Sequence, residues 1–433
     1  MAKILLLPIL FLVVLSCHQQ IVSPDRAVLT DPNMHNQALH LLFDLCDWAV
    51  DVQLATGELA IDNRLRTSVF INSNLARMLC AGYDLSGNAR YRETALAWFD
   101  HLVDQQQLVL SSQGDTAGYW GDLSPEGNIY LGDTGTAAHG LARAIRYTEG
   151  QQRGRYLQTL RRFGTFIRWG SVDDPQGKNR GGSPGWILAD GENRGAIGCG
   201  YYRGELSLSP YSISTSVAGA GFFSALACFT GDSSDWMVAE NALRWLLAQQ
   251  TEEGEIPYIL HNSRLDEWPL DTMSYFADGL VAVYLRSGSD SLRCFIAQEI
   301  KPSISWLLKN QKRSGVWGKM RSEDQQRSQG AINLLTWYYH HIEQDKKVLR
   351  AIHNNLIFFR KPERAEKYGI GILPISTGFV GLAIAEMVEP GITYALNPPS
   401  SVPIAQKDKG QEEHPRPTSE RTCNTQRGLL AGR

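Results

Sequence analysis

Apolar residues recur at helical spacing in about a dozen separate stretches of this chain, and few residues alternate in the two-residue rhythm of a strand. The stretches so marked are 34–55, 67–83, 88–106, 133–148, 153–169, 214–230, 232–250, 271–287, 289–311, 328–344, 346–359 and 376–389. Two kinds alternate along the chain. In 232–250, Trp236, Ala239, Leu243, Leu246 and Leu247 form one apolar stripe, so this helix buries a single face. Ser216–Ala227 and Ser376–Ala385 are instead small and apolar nearly all round. A helix apolar on every side is buried on every side, and Gly and Ala let its neighbours approach closely. An inner ring of helices wrapped by an outer ring meets both requirements. Pro302, inside 289–311, predicts a kink or a split there.

Connection lengths alternate in step. After each buried-type helix the link is short: Asp84–Gly87, Glu149–Gln152, Gly231, Gly288 and Asp345. After most amphipathic helices it is long: 107–132, 170–213, 251–270, 312–327 and 360–375. Short links make antiparallel hairpins, and loops as long as these usually carry function. With helices alternating in direction, the long loops gather at one end of the ring and lead into the N-termini of the inner helices. The expected fold is all-α: an (α/α)6 toroid of six helical hairpins over 34–396.

The two ends of the chain read differently. Lys3 and the apolar run Ile4–Leu15 form a signal-peptide pattern over 1–17, too short to span a bilayer. Val14-Leu15-Ser16-Cys17 resembles the lipobox of bacterial lipoproteins, which implies lipidation of Cys17; the same residues also fit ordinary cleavage. Export to the periplasm, the medium or a lipid-anchored state is therefore expected, with 18–33 as a linker. Residues 397–433 are rich in Pro, Gln and charge and read as a disordered tail. The net charge of −3 comes without a basic cluster, which argues against nucleic acid. Seven cysteines include no Cys-x-x-Cys pair and no Cys/His cluster, so neither a metal nor another cofactor is expected. Those in helical stretches read as core thiols.

One local sequence is more specific. Trp306-Leu-Leu-Lys-Asn-Gln311-Lys-Arg-Ser-Gly315-Val-Trp317 resembles the Gln-x-x-x-Gly-x-Trp repeat of terpenoid cyclases and prenyltransferases, which also fold as α/α toroids. Gln250 to Ile256 is a weaker copy, and Gln105 to Trp120 is one stretched by an insertion. The whole pattern resembles the six-hairpin glycosidase group, whose (α/α)6 barrels carry active sites among the loops of one end. Cyclase chemistry lacks its Asp-rich acid motif here, since Asp173-Asp174 is only a pair and reads as a turn; prenyl transfer lacks its zinc ligands. The resemblance thus implies a glycan-active toroid.

Glycoside hydrolysis usually needs two carboxyl groups facing each other across a cleft. Asp133, in Gly-Asp133-Thr-Gly, and Asp271, before Thr-Met-Ser-Tyr275, both stand where a long loop enters an inner helix. Either would also serve as a helix cap. Asp190, with Glu192 beside it, lies in the longest and most Gly-rich loop, where Asp-Gly equally marks a turn. His139 sits two turns into an inner helix, as a core residue or a base. Loop aromatics suit sugar faces or loop anchoring; Trp120, Trp186, Tyr202 and Trp268 are taken as substrate-binding, with His261 and Arg264 as ligands for a carboxylate-bearing sugar. The expected protein is an exported, monomeric glycoside hydrolase with an Asp pair. The alternatives are a uronate lyase or epimerase using Tyr201, Tyr202, His261 and Arg264, and a toroid that binds glycan or protein without catalysis.

Overall fold

The computed structural model describes residues 28–59, 69–121, 128–202, 205–260, 263–265, 269–318 and 330–397, with 263–265, 269–272 and 365 described by backbone alone. Cys17, His261 and Trp268 lie outside the described residues, as does the tail beyond 397.

Helices alternate between two concentric layers. The inner ones are α2 (Val69–Ser86), α4 (Leu131–Ala144), α6 (Ser212–Thr230), α8 (Pro269–Arg286), α11 (Gly330–His341) and α14 (Pro374–Val388). Each packs on the next in that order, and α14 packs back on α2, so the ring closes. The outer layer is α1 (Pro32–Asp51), α3 (Ala89–Asp104), α5 (Gly150–Trp169), α7 (Ser233–Ala248), the pair α9 (Asp290–Glu299) and α10 (Lys301–Asn310), and α12 (Lys346–Phe359). A short α13 (Pro362–Tyr368) lies in the last long loop. Small residues set the spacing of the inner ring: a Cβ on Gly135 of α4 would stand 2.6 Å from that of Ala218 in α6. The middle of α6, Thr215–Phe222, is wound as a π-helix, a form frequent at functional sites.

The split expected at Pro302 occurs at Ile300, with Pro302 in the first turn of α10, where its missing N–H leaves no bond unmade. The strands are a departure from the sequence reading. The long loops fold into antiparallel pieces: β1 (Gln107–Leu110) with β2 (Thr116–Tyr119); β3 (Ile129–Tyr130), β4 (Gly198–Tyr202) and β5 (Glu205–Pro210) in one sheet; and β6 (Tyr258–Leu260) with β7 (Ser263–Leu265). Strands of two to six residues are too short to show a period. Among the cysteines, Cys46, Cys80 and Cys199 are buried free thiols and Cys228 is an exposed one, whereas Cys294 is disulfide-bonded.

The repeated Gln motif works as a staple between outer helices. Gln311 donates to Gly315 O and, across the layer, to Ala351 O of α12. Trp317 donates to Leu307 O from a fully buried position. Gly315 has φ 98°, and a Cβ there would lie 2.3 Å from Asn354 O. Gln53, Gly57 and Leu59 repeat the geometry at the same spacing, with Gln53 donating to Gly57 O and to Thr94 O of α3. That copy lacks its aromatic and so was not legible as a repeat. In the stretched copy it is Gln106, not Gln105, that donates across the layer, to Thr159 O of α5, and the insertion is the β1–β2 hairpin. Gln311→Ala should lower unfolding stability by about 0.5–1.5 kcal/mol, since it removes both bonds of the staple while Asn355 still donates to Gly315 O, read as a fall in the urea midpoint. A change within error would show that the staple contributes nothing.

The C-terminal ends of the inner helices, away from the long loops, are sealed by charge and by the segment after α14. Arg77 of α2 pairs bidentately with Asp278 of α8 at 2.8 and 2.9 Å, and Tyr394 donates to Asp278 at 3.0 Å. Asp84 takes Arg143, Arg146 and Tyr147. Glu386, fully buried, accepts from the backbone N–H of Gly391 and Thr393 and from the Thr393 hydroxyl. Burial pushes its carboxyl up from 4.5 to about 7, against those three bonds and Arg143. A raised carboxyl holds its proton more tightly folded than unfolded. Its contribution is therefore fully present below about pH 4.5 and lost as pH climbs through 7, some ~3 kcal/mol in all. Glu386→Gln mimics the protonated acid. The difference in unfolding free energy, wild type minus Glu386→Gln, should fall as pH rises across that window and level off above it; a difference flat with pH would overturn the assignment.

Candidate active site at the long-loop end of the ring

The N-terminal turns of the inner helices carry an apolar cluster of their own. Cys199, Tyr211, Ile213, Val217, Tyr275 and Phe379 are its buried members, and Phe70, Tyr130, Tyr202, Tyr258, Leu260 and Ile375 pack around them half-buried. Contributors come from the starts of α2, α4, α6, α8 and α14 and from β4 and β6. The Tyr211 and Tyr258 hydroxyls are 2.9 Å apart, and Tyr130 and Tyr202 meet edge to face with centroids 5.0 Å apart.

Asp133 stands within this group. It is half-buried in the first turn of α4, and its charge acts on Tyr130, Cys199 and Tyr211, all of whose acid groups are pushed up chiefly by burial. It is not the N-cap: that position is Tyr130, which makes no side-chain cap bond. The positive end of the helix favours the ionised form of a carboxyl so placed. Asp271 holds the matching position in the first turn of α8, and its side chain lies outside the described residues. In the ring α4 and α8 flank α6, so the two carboxyl-bearing turns are separated by one helix.

The structure divides the loop aromatics in two. Trp120 and Trp186 are buried to 1% and 0%, Trp120 donating to Leu102 O and Trp186 wedged between Phe166 and Tyr201. Tyr201 is equally buried, donates to Gly181 O and carries Arg180 against its ring. All three fasten loops to the ring and have no surface for a ligand. The expectation that Trp120 and Trp186 bind substrate is thereby corrected: apolar area this large, next to a core, is buried rather than left in water. Tyr202 remains at the mouth. Arg264 lies in β7, described by its backbone. Asp174, the second acid of the Asp pair, is a loop clasp. Burial opposes its charge, but Arg180 and the backbone N–H groups of Gln176, Lys178 and Arg180 hold its carboxyl well below the usual range. His139 is buried with its Nε2 3.1 Å from Arg286. Burial, then Arg77, Arg286 and Arg143, depress its basicity, so it stays neutral in the interior of the ring.

Asp190 is exposed and precedes the 3-10 turn Gly191–Asn193 without capping it. It lines an open cleft of about 1020 Å³ between the 188–193 loop and β5, whose other walls include Tyr202, Glu205, Ser207 and Ser209. Asn193 and Glu205 were not picked out as site residues from sequence; a lone Asn or Glu in a loop carries no signal until the backbone brings it to a cavity. Phe70, Tyr275, Ile375 and Phe379 were missed for another reason. They lie in segments patterned as buried ring helices, and only the direction of the helix shows that their first turns open on the mouth. No group of three or more His, Cys, Asp or Glu residues placed to hold a metal occurs among the described residues.

No protein-family model matches the sequence, and no curated protein matches it. The fold does have solved counterparts. An inactive variant of the alpha-1,6-mannanase GH76A of Salegentibacter sp. HEL1_6, in complex with alpha-1,6-mannotriose, superposes with a TM-score of 0.53 at 13% identity, covering 81% of this chain and 98% of that one. A possible member of the GH105 family from Salmonella enterica serovar Paratyphi A gives 0.52 at 12% identity, covering 82% and 94%. A polysaccharide lyase gives 0.56 at 10% identity, covering 82% and 97%. The chain has the (α/α)6 toroid fold of these proteins.

Proposed function

We propose that this protein is a carbohydrate-active enzyme, a glycoside hydrolase acting on an oligo- or polysaccharide, with Asp133 and Asp271 as its carboxyl pair. The observation that carries the reading is the tyrosine-rich cluster at the N-termini of the inner helices with a half-buried carboxylate, Asp133, in the first turn of one of them. Aromatic faces take sugar C–H faces, and an ionised Asp133 is suited to act as base or nucleophile. Asp271, at the matching turn of α8, would then be its partner across the ring. The glycan-active toroids of similar fold support this reading.

A uronate lyase or epimerase is the second reading, favoured by the tyrosines themselves and by the lyase of similar fold. Against it, burial pushes the phenols of Tyr130 and Tyr211 up, which makes them hydrogen-bond donors rather than bases. Purified protein is to be screened on neutral glycans and uronates, with Asp133→Asn and Asp271→Asn alongside. Release of saturated reducing sugar, lost in both variants, is the expected result. Products with an unsaturated, ultraviolet-absorbing uronate would establish the lyase instead, and binding without turnover the non-catalytic toroid.

Export, with cleavage before a lipidated Cys17, is part of the proposal and rests on the leader pattern alone. Mass analysis of the mature N-terminus should find a diacylglyceryl-modified Cys17; an unmodified cysteine there would leave a soluble exported protein. We take the working unit to be a monomer, which light scattering tests.

A further inference from the structure

The cleft beside β5 has the chemistry of a second sugar site. Leu188, Leu206 and Leu208 give it apolar lining, and Asp190, Asn193, Glu205, Ser207 and Ser209 give it polar lining. Asp190, Asn193 and Glu205 line it, and their side chains make no hydrogen bond within the described structure. Uncommitted acceptors and an amide beside apolar lining match a sugar, which presents hydroxyls at its edge and C–H groups on its face. Among the described residues no Lys or Arg lines the cleft, while two carboxylates do. A polyuronate laid there would bring its carboxylates against Asp190 and Glu205.

The cleft is not isolated from the mouth. Tyr202 lines one end of it, and its ring packs against Tyr130, three residues before Asp133. β5 also runs directly into Tyr211, whose hydroxyl meets that of Tyr258 in the mouth cluster. Tyr202 therefore joins the cleft to the cluster around Asp133, the route a single glycan chain would take from one to the other.

We propose that the cleft formed by the 188–193 loop and β5 is a distal subsite that binds further units of a neutral polysaccharide chain whose reacting unit lies at Asp133. This rests on the hydrolase reading and adds two statements to it: the substrate is a chain longer than the mouth alone can hold, and it is uncharged.

The test uses the full-length Asp133→Asn protein, so that bound chains are not cleaved. The probes are α-1,6-manno-oligosaccharides, from dimer to octamer, and oligogalacturonates of the same lengths. Affinity for the neutral series should rise at least tenfold between the shortest and longest members. Hydrogen exchange should slow at 188–193 and 205–210 only with the long ones. Adding Asn193→Ala and Glu205→Gln should remove the gain of the long chains and leave the affinity of the short ones unchanged. Protection confined to the mouth, or a gain in length that survives the cleft substitutions, would overturn the distal subsite while leaving the hydrolase reading standing. Oligogalacturonates bound as tightly as the neutral series would overturn the claim for an uncharged chain. Binding of neither series would overturn this proposal for its named probes, and the hydrolase reading is then judged separately on the activity screen of the wild-type protein.

Discussion

Asp133→Asn is expected to lower kcat/KM on the cleaved glycan by about 10²–10⁴-fold, the range for removing a positioned acid–base group. The loss should fall on kcat, because the amide keeps the shape and hydrogen-bonding reach of the carboxylate and leaves the tyrosine-lined mouth able to bind. The fold should be almost unaffected. Asp133 is not the N-cap of α4, the amide can still accept hydrogen bonds, and the loss of its charge at the helix terminus costs about 0.3–1 kcal/mol. Measured together, a kcat loss with an unshifted KM and a melting temperature close to wild type identifies a group that acts on the reacting atoms. An equal loss in a variant that melts far lower would reveal a structural role, and activity within tenfold of wild type would remove Asp133 from the site. Asp271→Asn distinguishes the pair from a single acid: if both work on one bond, the double variant is scarcely worse than either single one.

Asp278→Asn is expected to destabilise the protein by about 3–5 kcal/mol, the range for breaking a buried ion pair from one side. Arg77 is completely buried, and burial alone would lower its basicity. The attraction and hydrogen bonds of Asp278 outweigh that and hold it charged. Removing the charge leaves a guanidinium inside the ring with neutral acceptors alone, the introduced amide and Asn74 at 3.4 Å, and takes the acceptor of Tyr394 down to a neutral amide. Arg77→Met with Asp278→Leu should recover much of the loss, because two apolar side chains need no counter-charge. A urea titration of the four proteins of this cycle settles the matter. A single-variant loss below about 1 kcal/mol would mean that solvent reaches the pair.

These two aspartates show how unevenly a site is written in a sequence. Asp133 was visible because a long loop ran into a small, apolar helix beside it. Asp278 was not: it lies in the interior of α8, 201 residues from its partner, where nothing local distinguishes it from any other polar residue. Trp120 and Trp186 looked like sugar platforms because aromatics in loops draw attention, but a loop that folds back on a ring needs anchors, and the largest side chains serve best. The exchange of Gln105 for Gln106 has a similar cause. Three glutamines stand in a row at 105–107, and only the twist of the helix end decides that Gln106 reaches Thr159.

The sequence by itself determined the twelve-helix ring, the alternation of buried and amphipathic layers, the end at which the long loops gather and the split at Pro302. All of these follow from local periodicity, composition and loop length, which each segment carries within itself. The tertiary structure alone decided that the loops carry short antiparallel strands, which aromatics anchor and which line the mouth, that Asn193 and Glu205 share a cleft with Asp190, and that the bore is sealed by Arg77, Asp278 and Tyr394. Those are contacts between residues far apart in the chain. Their free energy depends on what closing the ring brings within reach, and no segment records that alone.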